Sequence, residues 1–139
     1  MKSLEDAPIA SKKVLLRLGL DVPLGDNGEI LDDSRLRSSL ETIHFLLNRQ
    51  AKIVIVGHLG RPNGQVDRKL TLRPVYLHLS ALLKKPISFA PNLFSPATKK
   101  LIEEMAEGTV VGLENLRYDS GEEANSRTFA KKLAQYGEV

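Results

Sequence analysis

The sequence predicts an α/β fold, a three-layer arrangement in which one parallel β-sheet lies between two layers of α-helices. Short apolar runs rich in β-branched residues alternate along the chain with longer segments whose apolar residues recur at helical spacing. Strands that alternate with helices in this way form parallel sheets, and right-handed crossovers distribute the helices over both faces. With 139 residues, the chain has a length typical of one domain.

The first half of the chain predicts two strands and the helix between them. An apolar stretch predicts a strand over residues 12–20, and the Gly-Asp-Asn-Gly sequence at 25–28 is a turn signal. Segment 32–34 offers N-caps to a helix that runs to about residue 50 and carries one apolar stripe. The run KIVIV at 52–56 is typical of a strand that is buried on both faces.

The second half predicts three helices and two strands. Thr71 offers a cap to the first of these helices, and Ser95 followed by Pro96 is a cap with a first-turn proline. Gly137 is expected to cap the C-terminus of the last helix. The predicted elements are helices over 71–83, 96–108 and 126–136 and strands over 87–90 and 109–113. The resulting order is that of a Rossmann-like domain, and a further strand is expected to begin after the last helix.

Composition excludes several classes of function. The chain has no cysteine, which excludes disulfides, thiolate metal sites and a cysteine nucleophile. No apolar run approaches the roughly 18 residues that a membrane span needs, and the N-terminus lacks a signal-peptide pattern. The net charge of +3 arises from 20 basic and 17 acidic residues, without the dense basic stripe of nucleic-acid-binding proteins. We therefore expect a cytoplasmic protein that binds neither membranes nor nucleic acid.

Three short basic clusters fall just past the ends of predicted strands, at residues 33–37, 57–62 and 114–118. The carboxyl ends of parallel strands lie along one edge of an open sheet, where ligands bind. Arginines that are scattered in sequence would then face a single crevice. Such a crevice suits a small anionic ligand.

Arg17 is a candidate ligand contact near the end of the first predicted strand. Arg17, Gly19 and Asp21 would share one face of that strand, because strand side chains alternate. An arginine in an apolar strand is costly to bury without a partner. Arg17 therefore either points into the crevice or forms an internal salt bridge with Asp21 or a neighbouring helix, and the residues alone leave both open.

The candidates in the other clusters carry donors that suit an anion. Arg35 lies in the first turn of a helix, where free amides favour anions and a basic side chain opposes the macrodipole. In GHLGRP, Gly57 and Gly60 allow the backbone to approach a ligand closely, and His58 and Arg61 both donate. The alternatives are that Arg35 is simply an exposed arginine and that GHLGRP is a polar turn in which His58 is incidental.

Arg117 is positioned by sequence to complete an anion clamp, with Glu114 and Asn115 orienting it; a structural pair between an arginine and a carboxylate is the alternative. The chain has no P-loop, no dinucleotide-binding glycine motif, no metal-ligand cluster and no serine beside a base. The candidate residues bind and stabilise negative charge. This pattern indicates phosphoryl transfer, in which catalysis is mostly positioning and electrostatics.

Several stretches resemble motifs of the phosphoglycerate kinase family. RLGLDVPL at 17–24 resembles R-V-D-F-N-V-P-L, DDSRLR at 32–37 resembles D-D-T-R-I-R, and GHLGRP at 57–62 matches S-H-L-G-R-P except at its first residue. LENLRY at 113–118 matches L-E-N-L-R-F except at its last residue, and FAKKLA at 129–134 is also similar to the family. The resemblance spans nearly all of the chain, and its ordered motifs make it specific.

The resemblance implies reversible phosphoryl transfer between 1,3-bisphosphoglycerate and ADP in glycolysis, which gives 3-phosphoglycerate and MgATP. It implies an N-terminal domain that binds phosphoglycerate in a basic patch, a C-terminal domain that binds the Mg-nucleotide, and a hinge that closes the two together. We therefore expect residues 1–139 to be an incomplete N-terminal phosphoglycerate-binding domain that binds neither cofactor nor metal and is inactive alone. The complete enzyme is expected to be a monomer that uses Mg²⁺ with ATP or ADP.

The resemblance also assigns roles to individual residues. Those implied to bind substrate are Arg17, Asp21, Arg35, His58, Arg61 and Arg117. Arg35 is in addition implied to be catalytic, by stabilising the phosphoryl group during transfer. Gly19 stands where the family motif has an aspartate, and Asp21 stands where it has an asparagine. The alternatives are a non-catalytic anion-binding module and an interaction module whose open sheet edge pairs with another chain.

Overall fold

The computed structural model describes residues 3–139. Four strands occur in that range, namely β1 (Lys13–Arg17), β2 (Lys52–Val56), β3 (Ile87–Ala90) and β4 (Val110–Leu113). They form one sheet in the order β1-β2-β4-β3, and each neighbouring pair is parallel. At the centre of the sheet, Ile53 pairs with Val14 on one side and with Val110 on the other. The predicted parallel α/β fold is confirmed.

Helices cover both faces of this sheet. They are α1 (Ser34–Leu47), α2 (Arg73–Leu83), α3 (Pro96–Glu103), the single turn α4 (Ser120–Glu123) and α5 (Arg127–Ala134), with 3-10 turns at Leu4–Asp6, Arg68–Leu70 and Leu116–Tyr118. Alternating side chains of β2 divide between two cores, with Ile53 and Ile55 packed with α1 and α2, and Val54 and Val56 packed with α3 and α5. No helix in residues 3–139 is long and apolar enough to cross a membrane.

The first strand is shorter than predicted, and this moves two candidate residues off the sheet. β1 ends at Arg17 because its neighbour in the sheet, β2, ends at the paired Val56. The last backbone contact runs from the Leu18 amide to the Val56 carbonyl, at 3.0 Å. Gly19 and Asp21 therefore lie in the loop beyond the strand, and the prediction that they share a strand face with Arg17 is wrong.

The start of α1 uses its acidic residues differently from a simple cap. The Asp33 side chain does not cap the helix; it accepts a hydrogen bond from Arg37 Nε at 2.9 Å and contacts His78 Nε2 at 2.9 Å. The Ser34 amide donates instead to the Asp32 carboxylate, at 2.8 Å. Asp33 thus joins the start of α1 to α2 through His78, and it also binds Arg37.

Two predicted helix ends are also corrected. α3 ends at Glu103 and not near residue 108, because Met105 turns into the core before β4 begins. α5 ends at Ala134 and its C-cap residue precedes Gly137, so the prediction that Gly137 caps this helix is wrong. Gly137 serves close packing instead, since a Cβ there would lie 2.7 Å from the Cβ of Leu15.

Other local predictions hold. The strands over 52–56 and 87–90 have the predicted bounds. Ser95 caps α3 by accepting a hydrogen bond from the Thr98 amide at 3.2 Å, and Pro96 follows in the first turn. By contrast, the prediction that Thr71 caps α2 is wrong, since the N-cap is Leu72, although the Thr71 hydroxyl accepts from the Arg73 amide at 3.3 Å.

The last two residues lie along the outer edge of β1. The amides of Glu138 and Val139 donate to the Lys13 carbonyl, at 2.7 and 3.2 Å, and the Val139 carbonyl accepts from the Leu15 amide at 2.9 Å. These are contacts of the kind that join neighbouring strands. They occur at the place where the sequence predicts that a further strand begins.

Candidate functional site

The candidate site lies at the carboxyl edge of the sheet. Arg17 is the last residue of β1, the loop 57–62 follows β2 directly, and the segment 114–118 follows β4 directly. Because these three strands are neighbours in the sheet, their ends bring the three segments together. Among the six residues predicted to form the site, direct contacts link four, which are Arg17, Asp21, Arg35 and His58. Arg117 joins them through Gly60 and Glu122.

Glu122 joins the two arginines that flank the site. Its Oε1 accepts from Arg17 Nη2 at 3.0 Å, and its Oε2 accepts from Arg117 Nε at 3.1 Å. The Glu122 side chain is 10% exposed, whereas the Arg17 side chain is 53% exposed. Glu123 also approaches Arg117 Nε, at 3.4 Å. Burial alone would raise the pKa of Glu122, but the hydrogen bonds from the two arginines outweigh it and lower the pKa below its ordinary value.

The loop after β2 is held by Asp21 and Arg117. Asp21 Oδ1 accepts from the Gly60 amide at 3.0 Å, and the Gly60 carbonyl accepts from Arg117 Nη1 at 3.2 Å. Gly60 has φ +62°, in the left-handed region that favours glycine, so the loop can turn here without strain. The turn leaves Arg61 exposed, and within residues 3–139 Arg61 takes part in no ion pair.

Arg35 reaches the site from the first turn of α1. Its Nη1 donates to the Asp21 carbonyl at 3.2 Å, and its side chain passes the empty side of Gly19. A Cβ at Gly19 would have a single neighbour within 4 Å, the Arg35 Cδ at 3.7 Å. The position therefore has room for a side chain beside the Arg35 guanidinium. The sequence cluster at 33–37 is divided, since Arg35 belongs to the site while Arg37 is bound to Asp33.

His58 lies between the positive and negative groups of the site. Its Nδ1 is 3.4 Å from Arg17 Nη2, and its Nε2 is 3.8 Å from Asp21 Oδ2. Burial first, and then the charge of Arg117, lower the pKa of His58 below its ordinary value of 6.5. Both effects favour the neutral imidazole, which can donate a hydrogen bond to a ligand.

Glu114 and Asn115 form a buried scaffold beneath the site. Glu114 accepts hydrogen bonds from the Thr71 hydroxyl at 2.6 Å, the Leu72 amide at 2.8 Å and the Asn115 amide at 2.7 Å. The Asn115 side chain exchanges two hydrogen bonds with the backbone of Leu59, at 2.7 and 3.3 Å. It also donates to the Leu70 carbonyl and accepts from the Arg117 amide. The Asn115 side chain thus orients the backbone of Arg117, as predicted. Glu114 instead binds groups of the neighbouring loops.

The chemistry to which this arrangement of side chains is best suited is the binding of an anion. Arg17, Arg35, Arg61 and Arg117 come from segments at this edge, where the contacting carboxylates are those of Asp21, Glu122 and Glu123. Arginine is the side chain best suited to bind phosphate or carboxylate through paired hydrogen bonds. Among residues 3–139, no group of three or more His, Cys, Asp or Glu residues could hold a metal ion. A cavity of about 790 Å³ lies elsewhere, between segments 24–29 and 68–75, and none of the six predicted residues lines it.

Sequence reasoning missed Glu122. The residue falls in an acidic, glycine-containing stretch that predicts only a loop, well past the end of the nearest strand. Its role depends on α4, which is a single turn capped by the Asp119 carboxylate on the Gly121 amide at 2.8 Å. The surplus of arginines at the strand ends is the one signal that could have prompted a search for a carboxylate.

Comparisons with known proteins agree on one family. The family model described as phosphoglycerate kinase matches residues 4–139. The phosphoglycerate kinase of Aquifex aeolicus (strain VF5) is 41% identical over 138 residues, which cover 99% of this chain and 34% of that protein. The phosphoglycerate kinase of Synechococcus sp. (strain CC9311) is 41% identical over 139 residues, covering 100% of this chain and 35% of the relative.

Solved structures give the same result. The crystal structure of phosphoglycerate kinase from Pyrococcus horikoshii OT3 superposes with a TM-score of 0.86 and 32% identity, over 99% of this chain and 35% of that one. The structure of phosphoglycerate kinase from Coxiella burnetii superposes with a TM-score of 0.84 and 28% identity, over 97% and 33%. The chain thus spans about a third of the length of the relatives it matches.

Proposed function

The chain belongs to the phosphoglycerate kinase family, and we propose that its basic cluster binds 3-phosphoglycerate and 1,3-bisphosphoglycerate for phosphoryl transfer. The observation that carries the proposal is the contact network at the sheet edge, in which Arg17, His58 and Arg117 converge from three strand ends. Guanidinium and imidazole donors from separate segments suit a ligand with an anionic group at each end. A phosphoglycerate has a phosphate at one end and a carboxylate at the other.

The proposed reaction is the reversible transfer of a phosphoryl group between the substrate carboxyl and a nucleotide. In the direction of ATP synthesis, an oxygen of the ADP β-phosphate attacks the phosphorus of the acyl phosphate. The bond between that phosphorus and the carboxyl oxygen breaks, and the carboxylate of 3-phosphoglycerate leaves. ADP and ATP enter as their Mg²⁺ complexes and are substrates, and we propose that a separate nucleotide-binding domain of the complete monomeric enzyme binds them.

Arg35 is the proposed catalytic residue of this chain. It rests on the Asp21 carbonyl beside the open space at Gly19, and it is free of any carboxylate partner within residues 3–139. A guanidinium that is held by one neutral acceptor keeps its other donors for charge that develops on the transferring group. In this proposal Arg17, Asp21, His58, Arg61 and Arg117 hold the rest of the substrate.

A chimera tests this function. Residues 4–139 would replace the matching third of the Aquifex aeolicus phosphoglycerate kinase, and turnover would be measured in both directions. We expect an active chimera in which Arg35→Ala lowers kcat by about 10²–10³, the usual cost of one donor to a transition state. Arg35→Lys should restore little of that loss, because a point charge does not replace a planar fork. Near-normal turnover in the Arg35→Lys chimera would refute the role of Arg35.

Gly19 supports a second candidate, an anion-binding module without catalysis. The family motif has an aspartate at this position, and here the space beside Arg35 holds no side chain. In this case the chain would bind 3-phosphoglycerate in a titration, while the chimera would remain inactive although folded. Recovery of turnover in a Gly19→Asp chimera would then trace the loss to that one residue.

A further inference from the structure

Glu122 occupies the space between the two arginines that a bound anion would use. Each of its carboxylate oxygens binds a different guanidinium, Arg17 at 3.0 Å and Arg117 at 3.1 Å. Neither contact is the paired, two-bond arrangement in which an arginine binds a carboxylate most strongly. The carboxylate is therefore shared between two partners and is well placed to give one of them up.

The two arginines differ in how firmly they are otherwise held. Arg117 Nη1 also donates to the Gly60 carbonyl at 3.2 Å, and its Nε lies 3.4 Å from a second carboxylate, that of Glu123. Arg17 is more than half exposed, and within residues 3–139 its one carboxylate partner is Glu122. An exchange of partners is therefore easiest at Arg17.

The backbone of Glu122 does not depend on its side chain. Its amide donates to the Asp119 carbonyl at 3.2 Å, and α4 is capped by the Asp119 carboxylate on the Gly121 amide. The helix turn is also joined to α5, since the Ser126 amide donates to the Gly121 carbonyl at 3.0 Å. The carboxylate can thus leave Arg17 while α4 stays in place.

We propose that Glu122 is an internal counter-ion that positions Arg17 in the unliganded site and that an incoming anion must displace from Arg17. This inference rests on the proposed function of the site as an anion-binding surface. It gives Glu122 a second role beyond structure, because the ion pair that orders Arg17 also opposes binding. The site then binds its substrate less tightly than the same arginines would without Glu122.

The test is a calorimetric titration of the 139-residue chain and its Glu122→Gln variant with 3-phosphoglycerate and, separately, with inorganic phosphate. Glutamine keeps the shape and one acceptor but removes the charge. We expect affinity for both anions to rise about two- to five-fold, the size of one partly exposed ion pair, with a steeper dependence on salt. Equal or weaker binding by a folded Glu122→Gln variant would overturn the proposal and leave Glu122 a structural residue.

Glu104→Gln is the matched control. It changes the net charge by the same amount at an exposed residue between α3 and β4, which is the opposite edge of the sheet. Its affinity for both anions should equal that of the unmodified chain, because charges beyond about 10 Å are screened at 0.1 M salt. A gain as large as that of Glu122→Gln would assign the effect to net charge and overturn the proposal.

Two further variants make the result specific to Arg17. The gain in affinity from Glu122→Gln should vanish in an Arg17→Ala background, because the arginine for which Glu122 and the anion compete is then absent. If Glu122→Gln fails to fold, Glu122→Ala serves in its place, because it also removes the carboxylate that binds Arg17 while the backbone contacts of α4 do not involve that side chain, and it should also tighten binding. A gain that persists without Arg17 would contradict the proposal.

The same titrations separate this inference from the proposed function. If the chain binds 3-phosphoglycerate but Glu122→Gln does not tighten it, the competition is refuted and the function stands. If inorganic phosphate binds and tightens in Glu122→Gln while 3-phosphoglycerate binds no better than phosphate, the competition stands and the proposed substrate is refuted.

Discussion

The segment after β4 carries two kinds of polar residue, buried Glu114 and Asn115 and partly exposed Arg117, and they differ in burial and in their hydrogen-bond partners. Glu114 and Asn115 are buried, and their side chains hydrogen-bond to groups of the neighbouring loops. Arg117, two residues later, is partly exposed and shares its donors among Gly60, Glu122 and Glu123. Glu114 and Asn115 fix the loops that carry the candidate site, and Arg117 lies on the surface to which we propose that the ligand binds. Adjacent residues of one motif thus divide scaffold from binding surface.

The largest effect is expected when a buried residue of the scaffold is replaced. Glu114→Ala leaves the Thr71 hydroxyl and the Leu72 and Asn115 amides without their acceptor in a buried place. We expect the free energy of unfolding to fall by about 3 kcal/mol, because buried donors lose a charged partner. Urea unfolding measures this loss. Glu104→Ala, at an exposed residue without such partners, should change it by less than about 0.5 kcal/mol.

The opposite dissociation is expected at Arg61. The side chain is exposed and pairs with no carboxylate in the part of the chain described, so Arg61→Ala should leave the unfolding free energy unchanged. Affinity for 3-phosphoglycerate should fall by about 10-fold or more, the cost of one hydrogen bond to a charged group. Calorimetry measures this change.

Arg49→Ala provides the matched control for Arg61. Arg49 is an exposed arginine at the opposite edge of the sheet, where its guanidinium stacks 3.6 Å from the centre of the Phe45 ring. Its removal should not affect affinity for 3-phosphoglycerate. Equal losses of affinity in the two variants would mean that general charge, and not the site, attracts the ligand.

A smaller effect is expected when a carboxylate is added beside Arg35. The pair Gly19→Asp and Asp21→Asn restores the residues of the family motif, and the open space at Gly19 accepts the new side chain. Asparagine can still accept from the Gly60 amide as Asp21 does. We expect calorimetry to show affinity for 3-phosphoglycerate rising by up to about 10-fold, the value of one added hydrogen bond. Unchanged affinity would mean that Asp21 already supplies the contact.

The smallest effect concerns acid stability. The pKa of Glu122 is lowered in the folded chain, so the unfolded chain takes up that proton first as the pH falls. The stabilisation by Glu122 is therefore present above its ordinary pKa of 4.5 and is lost as the pH drops through the lowered value. It amounts to at most about 1 kcal/mol, since Arg17 is exposed. Glu122→Gln should flatten this part of the curve of unfolding free energy against pH, and an unchanged curve would contradict the assignment.

The sequence predicted the sheet and the position of the site because both depend on local patterns. The buried run at 52–56 and the cap at Ser95 are set by neighbouring residues, and parallel strand ends necessarily meet at one edge. The end of β1 could not be predicted, since it depends on where its partner β2 stops. Gly137 was misread for a similar reason, because its contact is with Leu15, far away in the chain.

The charge partners within the site lay beyond sequence reasoning as well. Glu122 meets Arg17 only after the chain has folded back from β4, across a separation of 105 residues. Arg35 and Arg37 look alike in sequence, yet one turns to the site and the other to Asp33, according to which side of α1 each occupies. Patterns of residue type therefore predicted which residues gather, and tertiary packing decided how their charges pair.

The most direct test of the central claim is a titration of the ¹⁵N-labelled chain with 3-phosphoglycerate, followed by NMR. The account predicts saturable shifts at the amides of Gly60 and Arg117 on the carboxyl edge, and none at Ala51 or Gly108 on the opposite edge. Shifts confined to segments 24–29 and 68–75, or no shifts in a folded chain, would contradict it.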